Sequence, residues 1–450
     1  HRGFFRHVDD GRGTALLVPG PPYRLSATPV VLRSAPALGS ARGFGGARVA
    51  KPELAPGRGL EGIRVLDFTW AAAGPYATLL LALLGAEVVK VESSRRPDAA
   101  RRGFLADYGG INRSPNFNEL NCNKRSFQVD LTTEEGRRLV HELVASADVV
   151  IDNFRPGVMA RFGLDPDSLL ARRPDLVVVS SSANGSSGPD AMAAGLASIF
   201  GATGGLSDQT GYPDGPPTEV GESTDYRSAN ALAVAVLAAL LHRARTGEGQ
   251  HVDVASREVV IATAPDSVLA HALGVPWRSR VGNTHRVHAP HDVYPALGGE
   301  WIAVSVSDDA EWVALCELLG QPEWVQAIPT PAARTTAAAE IAAAVAAWTG
   351  VRSARDGFEL LQAAGVPAMP VMTNADLASD PHLAERNVFV QVDHPEIGRT
   401  TVMRAPWRFS SLECPITRHG PLIGQDNAYV LEHLLGIPPE QHDSLSEVLN

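Results

Sequence analysis

Small residues, amides and carboxylates set against strand ends are the groups in this sequence whose types and spacing suit chemistry. Ala71-Ala-Ala-Gly74 follows a β-rich run. Small residues there let backbone amides approach a ligand closely, and a helix beginning near Pro75 offers free N–H groups to an anion. The same residues also suit a plain strand-to-helix turn. Asn153-Phe154 closes another apolar run, at the strand end where open α/β sheets bind ligands, and an aromatic ring beside an amide suits the face and edge of a purine. Arg161 follows on the next segment and can grip a phosphate in bidentate fashion. Further along come the carboxylates Asp190, Asp208, Glu219, Glu222 and Asp225. Such loop charges are ordinarily solvated, but the last three flank a glycine ahead of a helix.

Other spacings exclude more than they suggest. His285, His288 and His291 recur every third residue as metal ligands can, yet Pro290 interrupts them and no cysteine or carboxylate pattern supports them. They are read as linker packing, and no metal is expected. Gly185-Ser-Ser-Gly188 matches neither a nucleophile elbow nor a phosphate loop with lysine, so it reads as a turn. No G-x-G-x-x-G follows a strand, which argues against a nicotinamide or flavin dinucleotide. Cys122, Cys316 and Cys414 are odd in number and far apart, fitting a reducing, cytoplasmic setting over a disulfide framework. A net charge of -11 with no long basic run disfavours nucleic acid and anionic membrane as partners. The longest apolar stretch, Tyr76 to Val89, is too short to cross a bilayer, and no signal peptide is visible.

The elements that must position these residues alternate from residue 62 onward. Ile63–Phe68, Glu87–Glu92, Asp148–Phe154, Asp175–Ser180 and His251–Ala255 read as strands. A buried helix over Tyr76–Leu84, one from Thr132 or Thr133 to about Ala147, and one over Asn230–Arg245 lie between them. Strands alternating with helices imply an α/β fold, a Rossmann-like large domain with a mostly parallel sheet covered on both faces. Pro276 to Pro295 dissolves into Gly, Pro, His and Arg and marks a linker. Beyond it, a strand at Glu300–Val306, helices at Ala310–Leu319, Ala337–Trp348 and Gly357–Ala364, and a last strand near Val388–Val392 make a smaller α+β domain. A chain of 450 residues exceeds what one core usually serves, so two domains are expected. Their boundaries are drawn at 59–275 with 396–450 for the large domain and 276–395 for the linker and small one.

Residues 1–58 carry an echo of the far end of the chain. Phe5-Arg-His-Val-Asp9 resembles Phe389-Val-Gln-Val-Asp393, and Pro22-Tyr-Arg-Leu-Ser26 resembles Pro406-Trp-Arg-Phe-Ser410 at the same offset. Pro36-Ala-Leu-Gly39 likewise echoes Pro421-Leu-Ile-Gly424. Ordered matches at near-constant offset point to duplication, with this segment the tail of an upstream copy of the same fold.

Read in order, several blocks resemble the class III CoA-transferase family (CaiB/BaiF type), which includes formyl-CoA, carnitine and benzylsuccinate CoA transferases and α-methylacyl-CoA racemases. The blocks are Gly62–Phe68, Ala73-Gly-Pro75, Leu84–Glu92, Asn121-Cys-Asn-Lys-Arg-Ser126, Ala147–Gly157, His242–Gln250 and Arg280-Val-Gly-Asn283. The resemblance runs from about residue 60 to the end. It implies an interlocked dimer, here a homodimer or a pairing with a related copy, acting on an acyl-CoA (coenzyme A as substrate) and a small carboxylic acid. It maps the family's CoA contacts onto Trp70, Ala72, Ala73, Val129, Asn153, Phe154 and Arg161. Family members often carry a basic residue where this chain has Ser93 or Thr132, which leaves Arg95, Arg96 or Arg101 as phosphate partners.

One motif departs from the family. After Gly-Pro and seven residues the family has an Asp, with Gln-Ala four and five positions later. Here Gly188-Pro189 leads to Ala197, and Gly201-Ala202-Thr-Gly-Gly205 keeps register without the Gln. In the family that Asp forms mixed anhydrides and a covalent CoA thioester, splitting one hard acyl transfer into easier steps. A methyl group cannot do this. Glu219, Glu222 and Asp225 are the candidates for a displaced catalytic carboxylate. The expected function is therefore transferase-like, moving CoA between carboxylic acids. The alternatives are a non-catalytic CoA-binding subunit that supports an active paralogue, and an acyl-CoA racemase-like enzyme.

Overall fold

Strands whose alternate residues are both apolar must be covered on both faces, and the valine-rich runs of this chain form such strands. The computed structural model describes residues 1–9, 11, 13–40, 59–102, 108–220, 223–277 and 279–449. They fall into two units, one of His1–Ser207, Glu219–Trp277 and Asn387–Asn450, the other of Asp208–Thr218 and Arg278–Arg386.

The first unit opens with an antiparallel hairpin, β1 (Phe5–Asp9) and β2 (Ala15–Pro19), followed by β3 (Tyr23–Leu25). Six parallel strands follow: β4 (Arg64–Asp67), β5 (Glu87–Glu92), β6 (Arg125–Gln128), β7 (Val149–Asp152), β8 (Val177–Ser182) and β9 (Gln250–Ala255). The sheet order is β3-β9-β8-β7-β4-β5-β6, with β3 antiparallel at its edge. From β4 the chain winds outward through β5 and β6, then returns to β4's other side for β7, β8 and β9. The winding therefore reverses between β4 and β7.

Successive strand residues serve opposite cores. Val65, Val88 and Val177 face the helices Ala73–Leu83 and Ser223–Thr246 together with Ala77, Leu81, Leu232 and Val236. Leu66, Val89 and Val178 face the helix Glu134–Val144 and the C-terminal Val430 and Leu431. Ten of the eleven residues of Ala73–Leu83 are buried, so the helix is apolar on all sides. Glu134–Val144 is capped by the Thr133 hydroxyl, which accepts from the Gly136 amide. A second hairpin, β13 (Phe389–His394) with β14 (Gly398–Met403), precedes the C-terminal segment of this unit.

The second unit is built on an antiparallel sheet of β10 (His291–Pro295), β11 (Trp301–Ser305) and β12 (Ala368–Pro370) in that order. Helices Asp309–Leu319, Ala338–Thr349 and Ala354–Ala363 cover it, burying Ile302, Val304, Trp312, Leu315, Ile341 and Leu361. Asp308 and Glu311 form a reciprocal capping box at the first of these helices.

Four elements differ from these expectations. β6 was not expected, because Arg-Ser-Phe-Gln has no apolar run; it is buried by its neighbours, not by its composition. The helix expected from Asn230 begins at Ser223, since its first turns are polar and apolar spacing starts only at Ala229. The linker ends in a strand, β10, and the strand near Val388 belongs to the first unit, where among the described residues it pairs with β14 alone.

Candidate functional site

A parallel sheet leaves a crevice at the carboxyl ends of the two strands where its winding reverses. Here those strands are β4, which runs into Thr69–Gly74, and β7, which runs into Asn153-Phe154. Thr69–Ala71 is gripped from beneath by side chains. The Asp67 carboxylate accepts from the Thr69 amide at 2.9 Å and from the Thr69 and Thr78 hydroxyls at 2.5 and 2.6 Å. Lys90 donates to the Thr69 carbonyl at 2.7 Å and pairs with Asp98 at 2.9 Å, while Asp98 accepts from the Ala71 amide at 2.9 Å. Lys124 completes the cluster at 3.2 Å from Asp67. All four charges are fully buried. Burial alone raises the Asp67 carboxyl, but the Lys124 and Lys90 ammonium groups and the two hydroxyls outweigh it and hold Asp67 below the ordinary carboxylate range. Burial also pushes the Lys124 ammonium down to about 8 against the pull of Asp67.

Asn153 holds the next peptide on both sides. Its Oδ1 accepts from the Trp70 amide and its Nδ2 donates to the Trp70 carbonyl, each at 2.8 Å. The amide expected to meet a purine edge is thus committed to the loop. The rings of Trp70 and Phe154 meet edge to face at 5.3 Å, and the Arg96 guanidinium lies 5.0 Å from the Trp70 ring. Ala71 has a φ of 64°, which this network holds in place. A Cβ on Gly74 would stand 2.3 Å from the Thr69 Cβ, so the helix can follow the loop this closely only with glycine there. Below Phe154, burial pushes the Asp152 carboxyl up to about 7, against hydrogen bonds from the Phe154 amide and the Ser180 hydroxyl.

A cavity of about 220 Å³ opens over these strand ends. Trp70–Ala73 and Asn153–Arg155 line one side, Ser181–Ala183 and Ser256 the floor near β8 and β9, and Ala193–Ala197 with Phe200 the other side. Ala197 is the first residue of the helix Ala197–Thr203, which has no acidic residue in its first turn. Asp225, in the first turn of Ser223–Thr246, also lines the cavity.

The family model for CoA-transferase family III matches residues 60–427. The chain belongs to CoA-transferase family III. The succinyl-CoA–D-citramalate CoA-transferase of Chloroflexus aurantiacus is 35% identical over 385 residues, covering 85% of this chain and 95% of that protein. A "Probable CoA-transferase Rv1866" of Mycobacterium tuberculosis is 34% identical over 398 residues, covering 86% of this chain but 49% of that protein. The crystal structure of a CAIB/BAIF family protein from Brucella suis is 32% identical, with a TM-score of 0.74 over 83% of this chain and 98% of its own.

Within this family III chain, the structure brings Trp70, Ala72, Ala73, Asn153, Phe154, Ala197 and Asp225 together on one cavity. Val129 is buried just beyond β6 and Arg161 is exposed on the turn Met159–Phe162; neither is on the cavity wall. Glu219 is exposed and off the wall, and Glu222 lies outside the described residues. Among the alternative phosphate partners, Arg101 is committed: fully buried, it forks onto Glu92 and also donates to Asn112 and the Pro421 carbonyl. Arg95 is 70% exposed beside Asp130, and Arg96 covers Trp70. His285 and His288 stack with ring centroids 4.4 Å apart, and among the described residues no group of three metal-ligating side chains assembles. Sequence reasoning missed Lys90, Asp98, Lys124 and the wall residue Arg155. A lysine inside the apolar run Glu-Val-Val-Lys-Val-Glu was the one available signal.

Proposed function

We propose that this chain captures a coenzyme A thioester at the β4/β7 crevice and takes part in moving CoA between carboxylic acids, with Ala197 standing where the family's nucleophilic aspartate stands. The observation that carries the reading is the placement of Ala197 on the same cavity as the preorganised Trp70–Ala73 loop. Transfer through an enzyme anhydride needs a carboxylate to attack the thioester carbon and release the CoA thiolate. At residue 197 there is none. Of the displaced candidates, Asp225 alone among the described residues shares the cavity. The nucleotide end of CoA extends from the cavity toward Arg161, Arg95 or Arg96, whose guanidinium groups suit phosphate.

A second reading, a silent copy supported by an active one, is favoured by the repeated segment at the two ends of the chain. A racemase needs a histidine and carboxylate pair, and the described cavity wall holds no histidine. The three unpaired, buried cysteines support a reducing, cytoplasmic setting. Intact-mass spectrometry of the purified chain after exposure to acetyl-CoA and succinyl-CoA tests the assignment, with calorimetry reporting CoA binding. The expected result is CoA binding with no covalent adduct on the unaltered chain, and an adduct once Ala197→Asp and Gly201→Gln are combined. An adduct on a residue other than Asp225 in the unaltered chain overturns it, as does a lack of CoA binding.

A further inference from the structure

Between Asp190 and Thr203 the sequence has one polar side chain, Ser198, so this stretch has little of its own with which to grip the sheet. It nevertheless supplies one side of the cavity, Ala193–Ala197 with Phe200. Phe200 is buried, whereas Met192, Leu196 and Ile199 are exposed apolar side chains. What fixes such a wall must come from outside it.

Arg257, the second residue of the helix Ser256–Thr263, holds the wall at both ends. Its Nη1 donates to Asp190 Oδ2 at 3.1 Å, where the wall begins. Its Nε donates to the Thr203 carbonyl at 3.1 Å, where the helix Ala197–Thr203 ends. A helix leaves its last carbonyls without internal partners, and a cation suits that negative end. The Arg257 amide donates to the Ala183 carbonyl on the cavity floor at 3.0 Å. One residue is thus bound to the floor, to the segment entering the wall and to the segment leaving it.

Neighbouring contacts anchor the approaches. Asn184 Nδ2 donates to the Asp190 carbonyl at 3.0 Å. Asp253 accepts from the Ser186 amide and hydroxyl at 3.0 and 2.8 Å, and Asp253 and Glu258 each pair with Arg2 at 2.6 Å. A Cβ on Gly204 would stand 2.5 Å from Val260, so the exit of the wall lies close against the helix that carries Arg257. Between these anchors the guanidinium fork spans the wall, and its planar geometry fixes direction as well as distance.

The clamped wall sets a size. A cavity of about 220 Å³ has the volume of about seven water molecules. A butyryl thioester fills such a space, and a decanoyl chain overruns it. We propose that Arg257 is a positioning residue that clamps the wall at Asp190 and Thr203 and thereby limits the cavity to short acyl groups. Released, the wall can turn Met192, Leu196 and Ile199 onto a longer chain. The inference rests on the capture of a CoA thioester proposed above and adds the size of its acyl group.

Calorimetric titration of the full chain with CoA, butyryl-CoA and decanoyl-CoA, beside hydrogen exchange across residues 191–203, tests this. The unaltered chain is expected to bind butyryl-CoA more tightly than decanoyl-CoA, and the reverse order overturns the proposal. Arg257 and Asp190 have side chains 40% and 62% exposed, so water screens their pair and the whole clamp is expected to contribute about tenfold. Arg257→Met keeps the reach of the side chain and removes its donors. It should raise exchange across residues 191–203 about tenfold, with β8 and β9 amides unchanged, and narrow the preference for butyryl-CoA over decanoyl-CoA about tenfold. CoA itself should bind as before, because the Trp70–Ala73 loop is held by other side chains. Equal loss for all three ligands is what a merely structural residue gives, and it overturns the proposal. Raised exchange beside an unchanged butyryl-to-decanoyl ratio also overturns it, as does unchanged exchange. Should Arg257→Met not fold, Asp190→Ala opens one end of the clamp from an exposed side chain and should move exchange and ratio the same way, by about threefold; movement in neither refutes the proposal. A chain that binds none of the three ligands sinks the capture reading and the acyl limit with it, while the exchange of residues 191–203 still decides the clamp.

Discussion

Replacing Arg2 by alanine leaves two buried carboxylates facing the space that held their shared cation. The three side chains are 9%, 7% and 10% exposed, so water screens them little. At an effective dielectric near 20, opposite charges about 4 Å apart attract by about 4 kcal/mol, and stripping one partner from a buried pair costs about 3–5 kcal/mol. A loss of about 3 kcal/mol is therefore expected. Glu258 hydrogen-bonds Arg2 through both its oxygens, so Arg2→Lys, a point donor, should recover about half. Because three strand residues and this cluster hold the N-terminal segment to the sheet, the loss should appear as detachment of residues 2–26, not as global unfolding. Three kilocalories correspond to roughly a hundredfold rise in the detached population. Hydrogen exchange reads it directly: β3 amides should lose about a hundredfold in protection while β4 and β7 amides stay unchanged. Protection of β3 within threefold of the unaltered chain would refute the reasoning.

Asp152 makes stability depend on pH. The unfolded carboxyl releases its proton near pH 4 and the folded one near 7, so between those values the folded state holds more protons and stability falls as pH rises, by up to about 4 kcal/mol. Urea midpoints from pH 4 to 8 should show that fall, and Asp152→Asn should abolish it and be the more stable chain at pH 8. Gly74→Ala drives a Cβ into Thr69, and overpacking of this kind costs about 1–3 kcal/mol; calorimetry should show weaker CoA binding, and an unchanged affinity would separate the loop from the site. Arg161→Ala should weaken CoA binding if phosphate reaches that turn, and an unchanged titration removes Arg161 from the site. Any transferase turnover by the homogeneous chain should be lost in Asp225→Ala, and turnover that survives this change sinks the displaced-carboxylate reading.

The parallel strands were legible because burial on both faces leaves a mark in single sequences: β5 stands at Glu87–Glu92 as read, and β7 within the run Asp148–Phe154. β6 was not, since four mixed residues become a strand only when β5 lies beside them. The cavity residues Ala71–Ala73 and Asn153-Phe154 were found by their place after strands, and Trp70 through the family resemblance. The hidden part of the site is electrostatic. Lys124 sits far in sequence from Asp67, and nothing local announces that a parallel sheet brings β4, β5 and β6 side by side and sets three charges under one loop. Asn153 shows the converse: residue type suggested a ligand, while the fold spends both ends of its amide on Trp70.

The buried charges bear on which function survives without an aspartate. Ion pairs sealed from water contribute little net stability, and apolar replacements of the same shape often do better. Their effect here is positional. The Thr69 amide and carbonyl, the Trp70 amide and carbonyl and the Ala71 amide are each bound by a side chain, namely Asp67, Lys90, Asn153 and Asp98. A loop with five consecutive backbone groups fixed has little freedom left to lose when a ligand arrives, and ordering costs that are already met appear as affinity. None of these partners is Ala197 or a residue of the helix that Ala197 opens. On the proposed reading, a carboxylate placed at residue 197 would act through side chains other than those that fix the Trp70 loop, so Ala197→Asp is expected to leave CoA affinity unchanged while enabling a covalent adduct, both read by calorimetry and intact-mass spectrometry.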